Sequence, residues 1–280
     1  MVLGTDLTGK IAVVTGAGGI LCGMFARTLA RAGAAVALLD INLEAAEETA
    51  RDIREAGGTA AAYGVDVMDK EMLESVHARV LARLGPCDIL INGAGGNQAR
   101  ANTSKEYFEM GDIEADVATF FDMEYKGVQG VLDLNFLGGF LTCQVFAKDM
   151  VGREGCNIIN ISSASAARPL TRIPVYSGAV AALSNFTQWL AVHFAKAGIR
   201  VNAIAPGFFV TRQNEGLLYE EDGKPAARTA KVLAATPMGR FGRPEELNGA
   251  LMFLLNNEAA GFITGIILPV DGGFSAYSGV

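Results

Sequence analysis

The 280-residue sequence predicts an α/β fold: a single doubly wound parallel sheet of about seven strands, with helices on both faces. Three observations carry that expectation. Short β-branched apolar runs alternate with longer stretches of helical period from one end to the other. The first run leads directly into a glycine-rich turn. No linker, repeat or low-complexity tract divides the chain, so residues 1–280 read as one domain. Half the residues are hydrophobic and 19% are charged, enough apolar material for a large core.

The elements follow in order. Residues 11–14 form a β-branched run, and the apolar periodicity of 21–32 follows it as a helix. The runs at 35–39 and 60–65 enclose a helical pattern at 43–56, and a second pattern at 70–84 precedes the run at 89–91. A long apolar helix is expected at 128–151, a strand at 157–161, a helix at 175–197 and a strand at 201–204. The last helix, 244–256, opens with Pro244 and two glutamates, residues that suit a helix N-terminus. A strand at 266–270 closes the pattern. The runs are nearly continuous in hydrophobicity, as strands covered on both faces should be. Two long connections, near 97–126 and 212–242, break the rhythm. Both follow the carboxyl ends of strands, where open α/β sheets bind ligands, and both are read as substrate rim or lid.

Composition excludes several classes. The net charge is −7 and no basic stripe exists to neutralise phosphates, which argues against a nucleic-acid surface. Cys22, Cys87, Cys143 and Cys156 have neither C-x-x-C nor zinc spacing, so free thiols in a reducing cytoplasm are expected and no metal site. No signal peptide is apparent at the start, and no uninterrupted apolar stretch reaches the length of a membrane span. His77 and His193 lie in helices without acids at metal-ligand spacing and are read as packing or surface residues.

The chemistry begins at Thr15-Gly16-Ala17-Gly18-Gly19, where a strand runs through glycines into a helix. Such a turn lets backbone N–H groups approach a pyrophosphate at a helix N-terminus. Asp40 ends the second strand, placed to grip an adenosine ribose. A carboxylate there favours NAD over NADP; its alternative use is to cap the helix at 43–56.

These residues resemble the short-chain dehydrogenase/reductase family, over roughly residues 8–275. The family's T-G-x-x-x-G-x-G, laid on Thr15 without a gap, puts Ile20 and Cys22 at its second and third glycines, so Gly16, Gly19, Ile20 and Leu21 are the expected cofactor contacts there. Asp66-Val67 resembles the pair that holds the adenine. Asn92-Gly93-Ala94-Gly95 is similar to the N-N-A-G motif. Pro206-Gly207-Phe208-Phe209-Val210-Thr211 resembles the segment flanking the nicotinamide, which makes Pro206, Gly207, Phe209 and Thr211 candidates. Asp271-Gly272-Gly273 resembles the closing D-G-G. The resemblance implies a Rossmann-type fold and NAD as cofactor.

It also implies the catalytic set. Tyr176 exchanges the hydroxyl proton, Ser163 holds the oxygen, and Asn135 anchors a proton path. The fourth member is a lysine one turn after the tyrosine, on the same helix face. This chain has Val180 in that place, so nothing at this position lowers the phenol pKa from about 10. No other Tyr-x-x-x-Lys occurs. Three accounts stand open: a low-activity form of the enzyme, a replacement by Lys126, Arg168 or Arg172, or a protein that only binds ligand. The completeness of the other motifs favours the first.

Residues 185–193, 236–242 and 273–279 are similar to the D-mannonate oxidoreductase (fructuronate reductase) branch. They imply a hydride transfer between NAD(H) and a keto or hydroxy sugar acid. A carboxylate substrate calls for an arginine, and Arg100, Arg168, Arg172 and Arg212 lie on segments able to reach the site. Trp189 is expected to be buried. The resemblance further implies a dimer or homotetramer, paired through the helices at 128–151 and 175–197, with no membrane partner.

Overall fold

All seven apolar runs are strands: β1 Ile11–Thr15, β2 Ala35–Asp40, β3 Thr59–Gly64, β4 Ile89–Asn92, β5 Cys156–Ile161, β6 Ile199–Pro206 and β7 Ile267–Val270. The computed structural model describes residues 4–210 and 226–279. Every pairing in the sheet is parallel, in the order β3-β2-β1-β4-β5-β6-β7. β1 therefore has β2 on one side and β4 on the other: Val14 lies opposite Leu38 and Ile91. The direction of winding reverses there. The crevice opens at the carboxyl ends of the strands where it does so.

Helices α1 Ile20–Arg31, α2 Leu43–Glu55 and α3 Lys70–Arg83 lie between the first four strands. The others are α4 Tyr125–Leu132, α5 Gly138–Phe146, α6 Pro174–Phe194, α7 Ala227–Ala234, α8 Glu246–Leu255 and α9 Asn257–Ala260. Alternate strand residues face opposite ways, so the sheet has two cores. On one face Val14, Leu38 and Ile91 pack with Phe25 and Leu29 of α1 and Leu247 and Leu251 of α8. On the other, Val13, Leu39, Leu90 and Ile158 pack with Leu73 of α3, Phe146 of α5 and Leu183 of α6. That double cover is why the strand runs read as apolar without alternation.

Three expectations change. The helix expected at 128–151 begins at Tyr125 and is interrupted by a π-turn at Asp133–Leu137, where Asn135 Nδ2 donates to the Val131 carbonyl (2.7 Å) in place of a regular backbone bond. The helical stretch Tyr125–Met150 is long and apolar enough to cross a membrane by length and composition. It is half buried against the protein, however, with Phe146 and Met150 in the core. Trp189 is 56% exposed rather than buried. Helical period places Phe186, Thr187 and Leu190 inward and Trp189 outward, where its ring stacks on His193 at 4.7 Å. His77 gains an acid that local spacing could not show: Asp149, at 2.9 Å.

A polar ladder crosses the second core below the crevice. Asn92 Nδ2 donates to Asn160 Oδ1 (2.8 Å), and Asn160 Nδ2 to the Thr187 hydroxyl (2.8 Å), which itself donates to the Leu183 carbonyl. Asn160 and Thr187 are fully buried. The ladder joins β4, β5 and α6, the three elements that carry the candidate site. Asn160→Ala strips the Asn92 and Thr187 groups of a partner and is expected to destabilise the fold by about 1–3 kcal/mol in urea denaturation. A change below a few tenths of a kcal/mol would show that the ladder contributes nothing.

Candidate active site

The glycine turn takes its shape from one left-handed residue. Gly16 has φ of +68°, and a Cβ there would lie 2.9 Å from the Gly93 carbonyl. The Thr15 hydroxyl accepts from Gly93 N (3.0 Å) and Ala94 N (3.1 Å), so the β1 turn and the end of β4 are held together. Gly19 is the N-cap of α1, and Ile20 and Leu21 form its first turn, with the helix N-terminus at the turn.

Cys22 explains the departure from the glycine pattern. Its thiol lies where a Cβ on Gly93 would be. Bulk on α1 is thus accommodated by its absence on β4. Burial, with a smaller contribution from the Asp40 charge, pushes the Cys22 thiol up to about 12, so it stays protonated and packs as an apolar group.

Asp40 does not cap α2; the side chain of Asn42 does, accepting from Ala45 N. The Asp40 carboxylate instead accepts from Gly18 N (2.9 Å) and Asn42 N (2.8 Å), half-buried beside the glycine turn. Asp66 accepts from Met68 N (2.9 Å) in the turn after β3, and Val67 is buried against Gly138 of α5. Asn92, Gly93, Ala94 and Gly95 leave the end of β4 along the crevice. Asn135 closes on that segment: its carboxamide donates to the Gly96 carbonyl (2.7 Å) and accepts from Gly96 N (3.0 Å).

Pro206 ends β6 and Gly207 turns away from it, because a Cβ there would be 2.6 Å from Asp271 Cβ. Phe209 is buried and its ring fills the space beside Gly242. Phe208 meets Phe274 of the C-terminal tail edge-on at 5.1 Å. Thr211, the last cofactor candidate, and Arg212 lie outside the described residues. A cavity of about 380 Å³ lies between Phe208, Phe209 and Asp271-Gly272-Gly273.

Ser163 and Tyr176 come together. Ser163 follows β5 and caps the short 3₁₀ turn Ala164–Ala166; Tyr176 sits in the first turn of α6, against Val131 and Ala179. The Ser163 hydroxyl lies near enough to act on the phenol. Burial pushes the Tyr176 phenol above its ordinary 10, and Ser163 opposes this only in part. Among the described residues no cation acts on it. Val180 is buried one turn along α6, its carbonyl accepting from the Ser184 and Ser162 hydroxyls. The three proposed replacements lie elsewhere. Lys126 is exposed on α4, Arg172 Nε donates to the Thr103 carbonyl (3.2 Å), and Arg168 donates to the Tyr277 carbonyl. Arg100 is paired with Glu124. Among the described residues no group of three His, Cys, Asp or Glu side chains could hold a metal.

The contacts that lock these candidate residues together leave no local mark in the sequence. The Thr15 hydroxyl clasp and the Cys22–Gly93 exchange are contacts between residues more than seventy positions apart. Only the odd pairing of a cysteine on α1 with a glycine after β4 hinted at them.

Comparison with known proteins places this geometry. Residues 19–275 match the family model described as enoyl-(acyl carrier protein) reductase. An oxidoreductase of Haemophilus influenzae is 54% identical over 98% of this chain and 96% of its own. One of Bacillus subtilis is 49% identical over 98% of both. A Haemophilus crystal structure with bound NAD, of a protein proposed to be a D-mannonate oxidoreductase, superposes with a TM-score of 0.96 at 53% identity, covering 99% of each chain.

Gly93→Ala should drive a methyl group into Cys22 and cost about 1–3 kcal/mol. Cys22→Gly in the same chain should restore most of that loss. A double variant no more stable than Gly93→Ala, by urea denaturation, would refute the exchange.

Proposed function

The chain belongs to the short-chain dehydrogenase/reductase family, and on that premise we propose that it transfers a hydride between NAD(H) and a keto or hydroxy sugar acid of the D-fructuronate/D-mannonate type. The observation that carries this is the Ser163–Tyr176 hydroxyl pair at the carboxyl edge of the sheet, beside a glycine turn that has a carboxylate at its rim. The cradle suits a dinucleotide: the absence of a side chain at Gly16 lets the glycine turn close on Gly93 and Ala94, and Asp40 at its rim offers acceptors to ribose hydroxyls while repelling a 2′-phosphate. The N-terminus of α1 would hold the pyrophosphate, and Gly93, Ala94 and Gly95, with Pro206, Gly207 and Phe209, would flank the rest. The Haemophilus relative with NAD supports both the cofactor and the substrate class. A cytoplasmic location accords with four free cysteines.

When bound, NAD supplies the hydride acceptor or donor. The chain's own residues handle the oxygen and the proton. Ser163 holds the substrate oxygen by a hydrogen bond. Tyr176 gives its proton to that oxygen during carbonyl reduction and takes one from the hydroxyl during oxidation. Asn135 holds the Gly96 backbone and thereby the crevice wall. Val180 contributes no charge, so Tyr176 works with an uncompensated, raised pKa.

That same observation favours a second reading, a member of the family that binds the nucleotide with little turnover. The two part at the lysine. Oxidation needs the phenolate, whose fraction near pH 7 is below about one in a thousand for a phenol above 10. In the native chain, oxidation should therefore rise with pH through a midpoint above 10, while reduction, which needs the neutral phenol, stays flat across neutrality and falls only above that midpoint. Val180→Lys should lower the midpoint by about 1–3 units and raise oxidation near pH 7 by roughly 10- to 1000-fold. Steady-state assays with hexuronates, aldonates and each nicotinamide cofactor check this. NAD binding with no turnover in either chain would establish the second reading.

The outward aromatic strip of α6 supports a dimer or homotetramer: Trp189 and Val192 are well exposed, and Phe136 and Phe140 lie beside them through Phe186. Trp189→Glu should convert the assembled species to a smaller one in sedimentation velocity. An unchanged coefficient would place the interface elsewhere.

A further inference from the structure

We propose that Arg168 determines specificity for an acidic substrate: its guanidinium holds the substrate carboxylate, and the carbonyl of Tyr277 in the C-terminal tail occupies it when no substrate is present. This rests on the sugar-acid reading above.

Position supports it first. Arg168 lies on the segment that runs from Ser163 to Tyr176, five residues after Ser163, and its backbone N–H closes the 3₁₀ turn on the Ala164 carbonyl (3.3 Å). That turn is capped by Ser163 itself. The arginine is thus anchored to the residue that holds the reacting oxygen.

The tail locates its head group. Phe274 packs on Phe208, beside the Pro206-Gly207 turn, and Tyr277 reaches Arg168. Three residues span at most about 11 Å even when extended. Here they are wound into a turn, with Ala276 N and Tyr277 N both on the Gly273 carbonyl (3.1 Å each). Asp271 holds the base of this turn by accepting from Gly273 N (2.9 Å) and Ser275 N (2.8 Å). The guanidinium consequently lies between the tail turn that packs on Phe208 and the segment carrying Ser163.

Among the described candidates, charge selects Arg168. Arg100 is neutralised by Glu124. Arg172 is committed to the 97–126 connection at two points: its Nε donates to the Thr103 carbonyl, and its own carbonyl accepts from Thr103 N (3.1 Å). Arg168 is exposed, and among the described residues no carboxylate pairs with it. A neutral carbonyl is a weaker partner for guanidinium than a carboxylate, which can take two parallel N–H bonds. A carboxylate arriving at Arg168 therefore displaces the tail or shares the fork with it.

Equilibrium binding tests this without turnover. Calorimetry on the NADH-saturated protein should give a Kd for the aldonate D-mannonate at least 30-fold weaker in Arg168→Met than in the native chain, with Arg168→Lys between them. Binding of NADH itself, and of the uncharged alditol D-mannitol, should be unchanged. Equal weakening for D-mannonate and D-mannitol would make Arg168 merely structural and overturn the proposal, as would D-mannonate binding unaffected by Arg168→Met. In that last case the sugar-acid reading would survive. A native chain that binds NADH but not D-mannonate would overturn that reading, and the role of Arg168 with it.

Discussion

The site depends on how the chain satisfies its backbone where the sheet reverses direction. Beyond Asn92 the strand has no neighbour to bond with, and the segment that follows must line a crevice rather than fill it. Backbone groups left unpaired there would cost roughly 1–3 kcal/mol each. Two side chains take the place of a sheet. The Thr15 hydroxyl bonds the N–H groups of Gly93 and Ala94, and the Asn135 carboxamide bonds both polar groups of Gly96. The π-turn that delivers Asn135, the left-handed Gly16 and the missing side chain at Gly93 are consequences of the same requirement. A catalytic role assigned to Asn135 is thus inseparable from a structural one.

Chemistry in the crevice turns on a phenol in an apolar setting. Tyr176 rests on Val131 and Ala179, and the residue one turn beyond it on α6 is a buried valine. Desolvation favours the neutral phenol, and a single serine hydroxyl cannot reverse that. In the proposed reaction, the driving force for proton transfer at neutral pH is therefore weakened in the direction that needs a base. The polar ladder of Asn92, Asn160 and Thr187 passes beneath this region and keeps β4, β5 and α6 in register, whatever stands at position 180.

Most of the fold was legible because strands buried on both faces leave an unmistakable mark, and because Asp40, Asn92 and Pro206 each end a strand. Local signals failed where a distant partner decided the outcome. Trp189 was assigned inward on residue type, yet the period of its own helix, with Phe186 and Leu190 inside, points it outward. The break at Asp133–Leu137 arises from Asn135 competing for a carbonyl, which no apolar pattern records. Helix α7, inside the connection near 212–242, lacks a capping residue and escaped notice. In the candidate site, motif order singled out Ser163 and Tyr176, which the fold brings near one another, but the partners of Arg100, Arg168 and Arg172 came from segments remote in sequence.

Those partners give the 163–176 segment an unusual concentration of duties. It begins at Ser163 and ends at Tyr176, the pair proposed to hold the reacting oxygen and to move its proton. Between them Arg172 clasps the 97–126 connection and Arg168 meets the tail. Lys231 on α7 reaches Glu106 of that connection (2.8 Å), so the two long excursions also touch each other. Rim, tail and catalytic pair are thereby mechanically joined through one short stretch of chain. A substrate whose carboxylate takes Arg168 from the tail would loosen one of these ties at the moment its carbonyl meets Ser163, so that recognition of the acid and alignment of the reacting oxygen become a single event on one segment.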